Sequence, residues 1–332
     1  MVMSCAFETL STLDLTDLFD GASPQTAQVD AALLEAFDHQ SGAVITGFPG
    51  ADSLEQRIGD LMAFFALPDE TRMEVASMHY RSENPNRYRG FFPLPEHFGW
   101  AHNEIFDFGV VMRSPAPQGH GAKTMLDEPN VWPRPEPRAG WRQDAEALLA
   151  GLREIAMAVA AALVRASGQD EASFMAAFDD GNASLRILHY PPAPADFVTD
   201  EGGALSEPVD PAGRRIITRR HVDGCALSLL WQQDMGGLQY EGRDGHWRDV
   251  PAGRGRLSVH ASQSLEELTG GRIKATPHRV VGHGVDRFSM GMFLEPRFDA
   301  VINHDGAGSP VTYADILRDD FASSDVYADV MA

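Results

Sequence analysis

Cysteine is almost missing from this chain: two occur in 332 residues, Cys5 and Cys225. That excludes a disulfide framework and leaves too few thiols for a cysteine-bound zinc or iron–sulfur site. Positive charge is scarce too, with 27 Lys and Arg against 48 Asp and Glu, a formal net charge of −21. So acidic a chain has no basic face with which to grip nucleic acid or an anionic membrane, and the expected partner is a small molecule. No apolar run approaches the roughly 18 residues that a membrane span needs. The opening MVMSCAFETL lacks a positive stretch followed by an apolar one, so neither export nor spanning is indicated. Repeats and low-complexity runs are absent. The expectation is a cytoplasmic monomer.

What is present suffices for a sizeable core, at 43% hydrophobic residues, and one domain over 1–332 is the default. Residues 12–75 read mostly as helix. DAALLEAF (30–37) and LEQRIGDLMAFF (54–65) place apolar residues three and four apart, and the β-branched AVIT (43–46) between glycines suits a short buried strand. Residues 80–137, with RYRGFFP and EIFDFG, read as loops interrupting short strands, inside an N-terminal region of 1–110. The alanine-rich 141–167 predicts a long helix that braces a sheet. From 184 the pattern changes to short punctuated apolar runs: LRILHY, RRIITRRHVD, ALSLLWQ, GLQY, WRDV, RLSVHA, KATPHRVV and RFSMGMFL. This is the rhythm of a barrel or jelly roll over 184–296, making the fold mainly β with flanking helices (α+β). Residues 297–332 read as a surface extension with one short helix at 313–321.

His221 and Asp223 are one residue apart on an expected strand, so both side chains point to one face within reach of a single ion. A second histidine from a later strand, His278 in KATPHRVV, would complete a two-histidine, one-carboxylate set. Such a set leaves positions open on ferrous iron for substrate and oxygen. The spacing alone is weak evidence, because 12 histidines among many acids produce such pairs by chance. His102 and Glu104 have the same spacing, with a solvated loop pair as their bland reading. Only His221 and Asp223 are followed by strands that return a histidine and then Arg287 and Ser289. Those two share a strand face and present a guanidinium fork beside a hydroxyl, a geometry suited to a carboxylate. A surface arginine is the alternative.

These segments together resemble the isopenicillin N synthase-like branch of the iron(II)/2-oxoglutarate-dependent dioxygenases. The resemblance is carried by LRILHYPP (185–192), HVDGCALSLLWQQDMGGLQ (221–239), GGRIKATPHRVV (270–281) and RFSMGMFLEP (287–296). LLEAFDHQSGAVITG, FFALPDETR, RGFFP and EIFDFG support it in the N-terminal half, so it spans 15 to about 296. It implies a distorted double-stranded β-helix with iron on His221, Asp223 and His278. It also implies 2-oxoglutarate as cosubstrate, paired with Arg287 and Ser289 and assisted by Tyr190, and O2 as oxidant, with release of succinate and CO2. Hydroxylation or desaturation of a small molecule, an amino acid or secondary metabolite, would follow.

The chain departs from that pattern at two places. Leu188 stands where many members carry asparagine two residues before the tyrosine. SVHASQSLEELTGG replaces an Asn-x-Gly-Asp segment, leaving His260 on an inner strand, where a structural histidine is expected rather than a further ligand. Alternatives are an oxidase that does not use 2-oxoglutarate, an idle ligand-binding barrel, and a hydrolytic zinc site that lacks a positioned base. Strand parity puts Arg215, Ile217 and Arg219 on the side of His221, with a barrel rim as the bland reading for Arg214, Arg215, Arg219 and Arg220. Phe91, Phe92, Trp100 and Trp231 would wall a pocket or pack the core. His283 reads as a loop residue.

Overall fold

The computed structural model describes residues 9–21, 23–95, 98–99, 101–110, 128–179, 181–194, 197–199, 209–304 and 308–322. Its larger sheet has eight strands in the order β1 (Thr12–Asp14), β2 (Gly42–Thr46), β12 (Leu257–Ala261), β9 (Leu227–Gln232), β14 (Arg287–Glu295), β6 (Asn182–Tyr190), β5 (Glu104–Gly109) and β3 (Gly90–Phe92). The smaller has β11 (Trp247–Asp249), β10 (Leu238–Glu241), β13 (His278–Val281) and β8 (Ile216–His221). Two short pairs, β4 (Phe98–Gly99) with β7 (Val198–Thr199) and β15 (Val301–His304) with β16 (Pro310–Thr312), complete the strands described. All ladders in the two main sheets are antiparallel except β1–β2, and the sheets enclose a common cavity.

Alternation along each strand separates core from cavity. On β6, Leu185 and Ile187 enter the main core, whereas Arg186, Leu188 and Tyr190 line the cavity. Leu227 and Leu229 of β9 face the same core, and Leu230 and Gln232 face inward. Truncating Ile187 to alanine would cost about 2–5 kcal/mol, since it is fully buried there.

The helix Trp141–Ala166 covers the outer face of the larger sheet. By length and composition it is apolar enough to cross a membrane. Leu148, Leu152, Ile155 and Val159, spaced three and four apart, nevertheless bury against the core strands, which is how a core helix is patterned. The helix Thr26–Gln40 packs beside it, and Arg165 and Asp30 join the two through hydrogen bonds of 2.8 and 2.9 Å.

The tail departs from the expectation of a surface extension. Phe298, Ile302, Tyr313, Leu317 and Phe321 form a second buried cluster with Tyr88. The helix Tyr313–Ala322 presents Tyr313, Leu317 and Phe321 at spacings of four, so its apolar stripe has a partner in the N-terminal half. Residues 12–75 are also less helical than their pattern suggests: β1 is a strand, and the helix beginning at Leu54 tightens into a 3₁₀ turn over Ala63–Ala66. The short helix Gln263–Leu268 was not legible from the sequence.

Candidate metal centre and cavity

His221 ends β8 and His278 begins β13, and the two are paired in register across the smaller sheet. Their rings lie 4.1 Å apart. Asp223 is not on the strand, as its spacing suggested, but in the turn after it. The turn is fixed by backbone bonds from Gln263 to the Asp223 carbonyl at 2.9 Å and from Ser264 to the Cys225 carbonyl at 3.0 Å. The Asp223 carboxylate reaches His221 Nε2 through Oδ1 and His278 Nε2 through Oδ2, each at 3.6 Å. One ligand atom from each of the three lies within 4.8 Å of the others, and no other such group occurs among the described residues.

The surrounding bonds prepare these atoms for a cation. His221 Nδ1 is 2.9 Å from the Arg219 carbonyl and His278 Nδ1 is 3.1 Å from the Thr276 carbonyl. A carbonyl only accepts, so each Nδ1 carries a proton and each Nε2 is the nitrogen turned toward the Asp223 carboxylate. Burial, followed by the charge of His278, pushes the His221 imidazole down to about 4, keeping it neutral. Burial raises the Asp223 carboxyl, but His278, His221 and the hydrogen bond donated by Ser228 outweigh it, and the net shift is downward. Two imidazoles and one carboxylate are a donor set that fits ferrous iron, with coordination positions left open.

The cluster borders a partly open cavity between the two main sheets. Arg287, Ser289 and Tyr190 line it, and Arg287 and Tyr190 face one another across the β14–β6 ladder. Arg287 is 2% exposed. Its Nε donates to the Gly236 carbonyl at 2.7 Å and its guanidinium carbon lies 4.7 Å from the Tyr190 ring centre. Its Nη1 is buried without a hydrogen-bond partner. Burial holds this guanidinium below its usual value. An orphaned, buried cationic donor on the cavity wall fits an incoming carboxylate. The backbone makes room for it: Gly237 has φ +109°, and a Cβ there would lie 3.1 Å from Arg287 Nε and 2.7 Å from the Val281 carbonyl.

The other singled-out residues divide. His260 is fully buried and Nε2 is 3.1 Å from Ser258 Oγ; burial, then His278, pushes its imidazole down to about 3. The rival pair is not solvated: His102 is buried against Phe197, and Glu104 is bonded to Arg72 and His189. Strand parity misplaced the β8 cations. His278 pairs with His221 but Val280 pairs with Thr218, so β8 holds an extra residue at this point, and Thr218 rather than Arg219 lines the cavity. Arg214 pairs with Asp210 and Asp249, Arg220 pairs with Glu241, and Arg215 donates to the carbonyls of Pro194 and Phe197. Trp231 lines the cavity, Phe91 belongs to the core, Phe92 is buried beside Tyr80, and Trp100 lies outside the described residues. His283 lines a smaller neighbouring pocket in its loop. The sequence reading missed Arg186, Asn103, Thr218 and Phe293, all on the cavity wall, and Ser228, which bonds Asp223. Arg186 shares the parity of Leu188 and Tyr190, a signal that was available.

The sequence profile of the 2OG-Fe(II) oxygenase superfamily matches residues 181–296. The chain is 25% identical to the 2-oxoglutarate-dependent dioxygenase citB of Monascus ruber, covering 83% of this chain and 82% of that one. It is also 25% identical to isopenicillin N synthase of Streptomyces clavuligerus, covering 92% and 93%. Among solved structures, a full-length Neurospora crassa protein in complex with alpha-KG superimposes with a TM-score of 0.71 at 21% identity, covering 95% of this chain and 96% of that one, a likeness of fold. Residues 181–296 therefore form a domain of the 2OG-Fe(II) oxygenase superfamily, whose cofactors are iron(II) and 2-oxoglutarate, and isopenicillin N synthase and 2-oxoglutarate-dependent dioxygenases are among the homologues of the chain.

Proposed function

We propose that this enzyme holds iron(II) on His221, Asp223 and His278 and 2-oxoglutarate against Arg287, Ser289 and Tyr190, and oxidises a small molecule by hydroxylation or desaturation. The observation that carries this is the orphaned Nη1 of Arg287 in a cavity that the His–Asp–His cluster borders. Bound iron and 2-oxoglutarate supply the power to break an unactivated C–H bond, with succinate and CO2 as coproducts. The protein's part is positional. The Arg219 and Thr276 carbonyls fix the imidazole tautomers, Ser228 orients the carboxylate, and Leu188, Leu230, Leu238 and Val280 keep the cavity apolar and limit water.

Succinate measured against 2-oxoglutarate consumed, with and without candidate substrates, tests this reading. Equal amounts are expected. Oxygen uptake that proceeds to product with no 2-oxoglutarate favours a second reading, an oxidase in which Arg287 holds the substrate's own carboxylate. Leu188 supports that second reading, because it puts an apolar side chain on the cavity wall where many relatives carry asparagine.

A further inference from the structure

Thr218 lines the cavity and is 3% exposed, and its Oγ1 is buried without a hydrogen-bond partner. Its neighbours on the smaller sheet are apolar: it is level with Val280, which is level with Leu238, and both line the same cavity. A buried hydroxyl left unpaired costs about 1–3 kcal/mol, which a valine of the same shape would avoid. The fold nevertheless aims this hydroxyl inward. Counting by twos from His221 would turn Arg219 to the cavity, and the extra residue in β8 brings Thr218 there instead. The turned residue is braced from the other edge of β8, where Ala101 bridges to Thr218 and the His102 N–H donates to the Ile217 carbonyl at 2.7 Å.

Strand register puts the hydroxyl between the metal cluster and Arg287. On β13, His278 is level with His221 and Val280 with Thr218, and the Val281 N–H donates to the Gly237 carbonyl at 2.8 Å. Arg287 rests against that glycine: its Nε donates to the Gly236 carbonyl at 2.7 Å, and a Cβ on Gly237 would lie 3.1 Å from the same nitrogen. At about 3.3 Å per residue, Thr218 is roughly 7 Å of strand from the level of the cluster and about one residue from that of Arg287. A molecule that reaches from the cluster to Arg287 therefore passes Thr218 close to its Arg287 end. Among the described residues that line the cavity, the buried side-chain atoms without a partner are Arg287 Nη1 and Thr218 Oγ1.

We propose that Thr218 is a further binding residue for the cosubstrate, its hydroxyl donating to the same carboxylate that Arg287 receives. The proposal rests on the reading that 2-oxoglutarate lies between the cluster and Arg287. A carboxylate has about four lone-pair sites, so one that meets the Arg287 guanidinium and the Ser289 hydroxyl still accepts a third donor. One ligand group then satisfies both orphaned atoms. Leu188, on the larger sheet, offers that carboxylate no hydrogen bond, and the polar contact comes from the facing sheet instead.

The test uses the intact protein, held anaerobically with iron(II). 2-Oxoglutarate is titrated into wild type, Thr218→Val and Thr218→Ser while the visible metal-to-ligand band is followed, and the ligand-free proteins are melted alongside. Thr218→Val should bind 2-oxoglutarate about tenfold or more weakly, the size of a hydrogen bond to a charged group. Without ligand it should melt no lower than wild type, because the hydroxyl it removes has no partner in the fold. Thr218→Ser keeps the hydroxyl and should stay much closer to wild type in affinity. No band in wild type defeats the cosubstrate reading, and the proposal with it. With the band present, the proposal alone is overturned if Thr218→Val binds as tightly as wild type, or if Thr218→Ser loses as much affinity as Thr218→Val. A ligand-free Thr218→Val that melts several degrees lower, or does not fold, overturns it too, since the hydroxyl would then serve the fold rather than the ligand.

Discussion

Replacing Arg287 by methionine separates the energetics of the empty pocket from those of the filled one. In the ligand-free protein this guanidinium is buried with one donor unsatisfied, so exchanging it for an apolar side chain of similar length should leave apo stability within about 1 kcal/mol of wild type. With 2-oxoglutarate present the two proteins should diverge, because truncating one partner of a buried charge pair costs about 2–5 kcal/mol of affinity. The lower bound is roughly thirtyfold in Kd. At a cosubstrate concentration about a hundredfold above its wild-type Kd, binding stabilises wild type by about 2.7 kcal/mol, and a thirtyfold weaker site falls below about 1 kcal/mol. For a chain of this size the melting shift on adding 2-oxoglutarate should shrink from on the order of 5 °C to about 2 °C or less. The assay is a thermal melt of the zinc-loaded protein with and without 2-oxoglutarate, paired with a direct titration. An unchanged ligand-induced shift in Arg287→Met would refute the reasoning, and so would an apo form several kcal/mol less stable.

Three further perturbations follow from the geometry. Ser228→Ala removes the hydroxyl that donates to Asp223, and should weaken iron(II) binding about 10–100-fold in a metal titration while leaving the fold intact. Gly291→Ala introduces a Cβ that would lie 2.8 Å from Phe293 Cζ and 3.2 Å from Leu230 Cδ2; it should leave 2-oxoglutarate affinity near wild type and weaken substrate binding. Glu295 titrates near 7 when folded, against an ordinary value of 4.5, so the folded state holds its proton more tightly than the unfolded chain. Its contribution is therefore lost as pH rises from about 4.5 through about 7, and denaturant titrations should show Glu295→Gln flattening that decline. An unaltered pH slope would show that Glu295 is ionised in the fold.

The cluster was legible because two signals coincided: a His-x-Asp spacing, and a later strand series that returns His278, Arg287 and Ser289 in order. The long helix and most strands after 184 were legible for a simpler reason, since 3.6-residue and 2-residue periods survive in short windows. What escaped the reading was set by tertiary context. The extra residue in β8 exchanges Arg219 for Thr218 on the cavity wall, and no local pattern in IITRRH announces it. Asp223 was placed on a strand by its spacing, yet it sits in a turn held by Gln263 and Ser264, some 40 residues away in sequence. The tail looked like an extension because the partner of its apolar stripe, Tyr88, lies in a distant part of the chain. Arg186 was hidden in the middle of a strand with apolar neighbours, although counting back from Tyr190 by twos would have turned it inward.

The proposed iron ligands are His221, Asp223 and His278, and not the other histidines of similar spacing or burial. Anaerobic titration of metal-free protein with iron(II) tests this assignment, comparing His221→Ala, Asp223→Ala and His278→Ala with His102→Gln and His260→Gln. A single tight site is expected in wild type, lost in each of the first three variants and kept in the last two. Tight iron binding that survives the loss of His278, or that disappears with His102 or His260 in a folded variant, would contradict it.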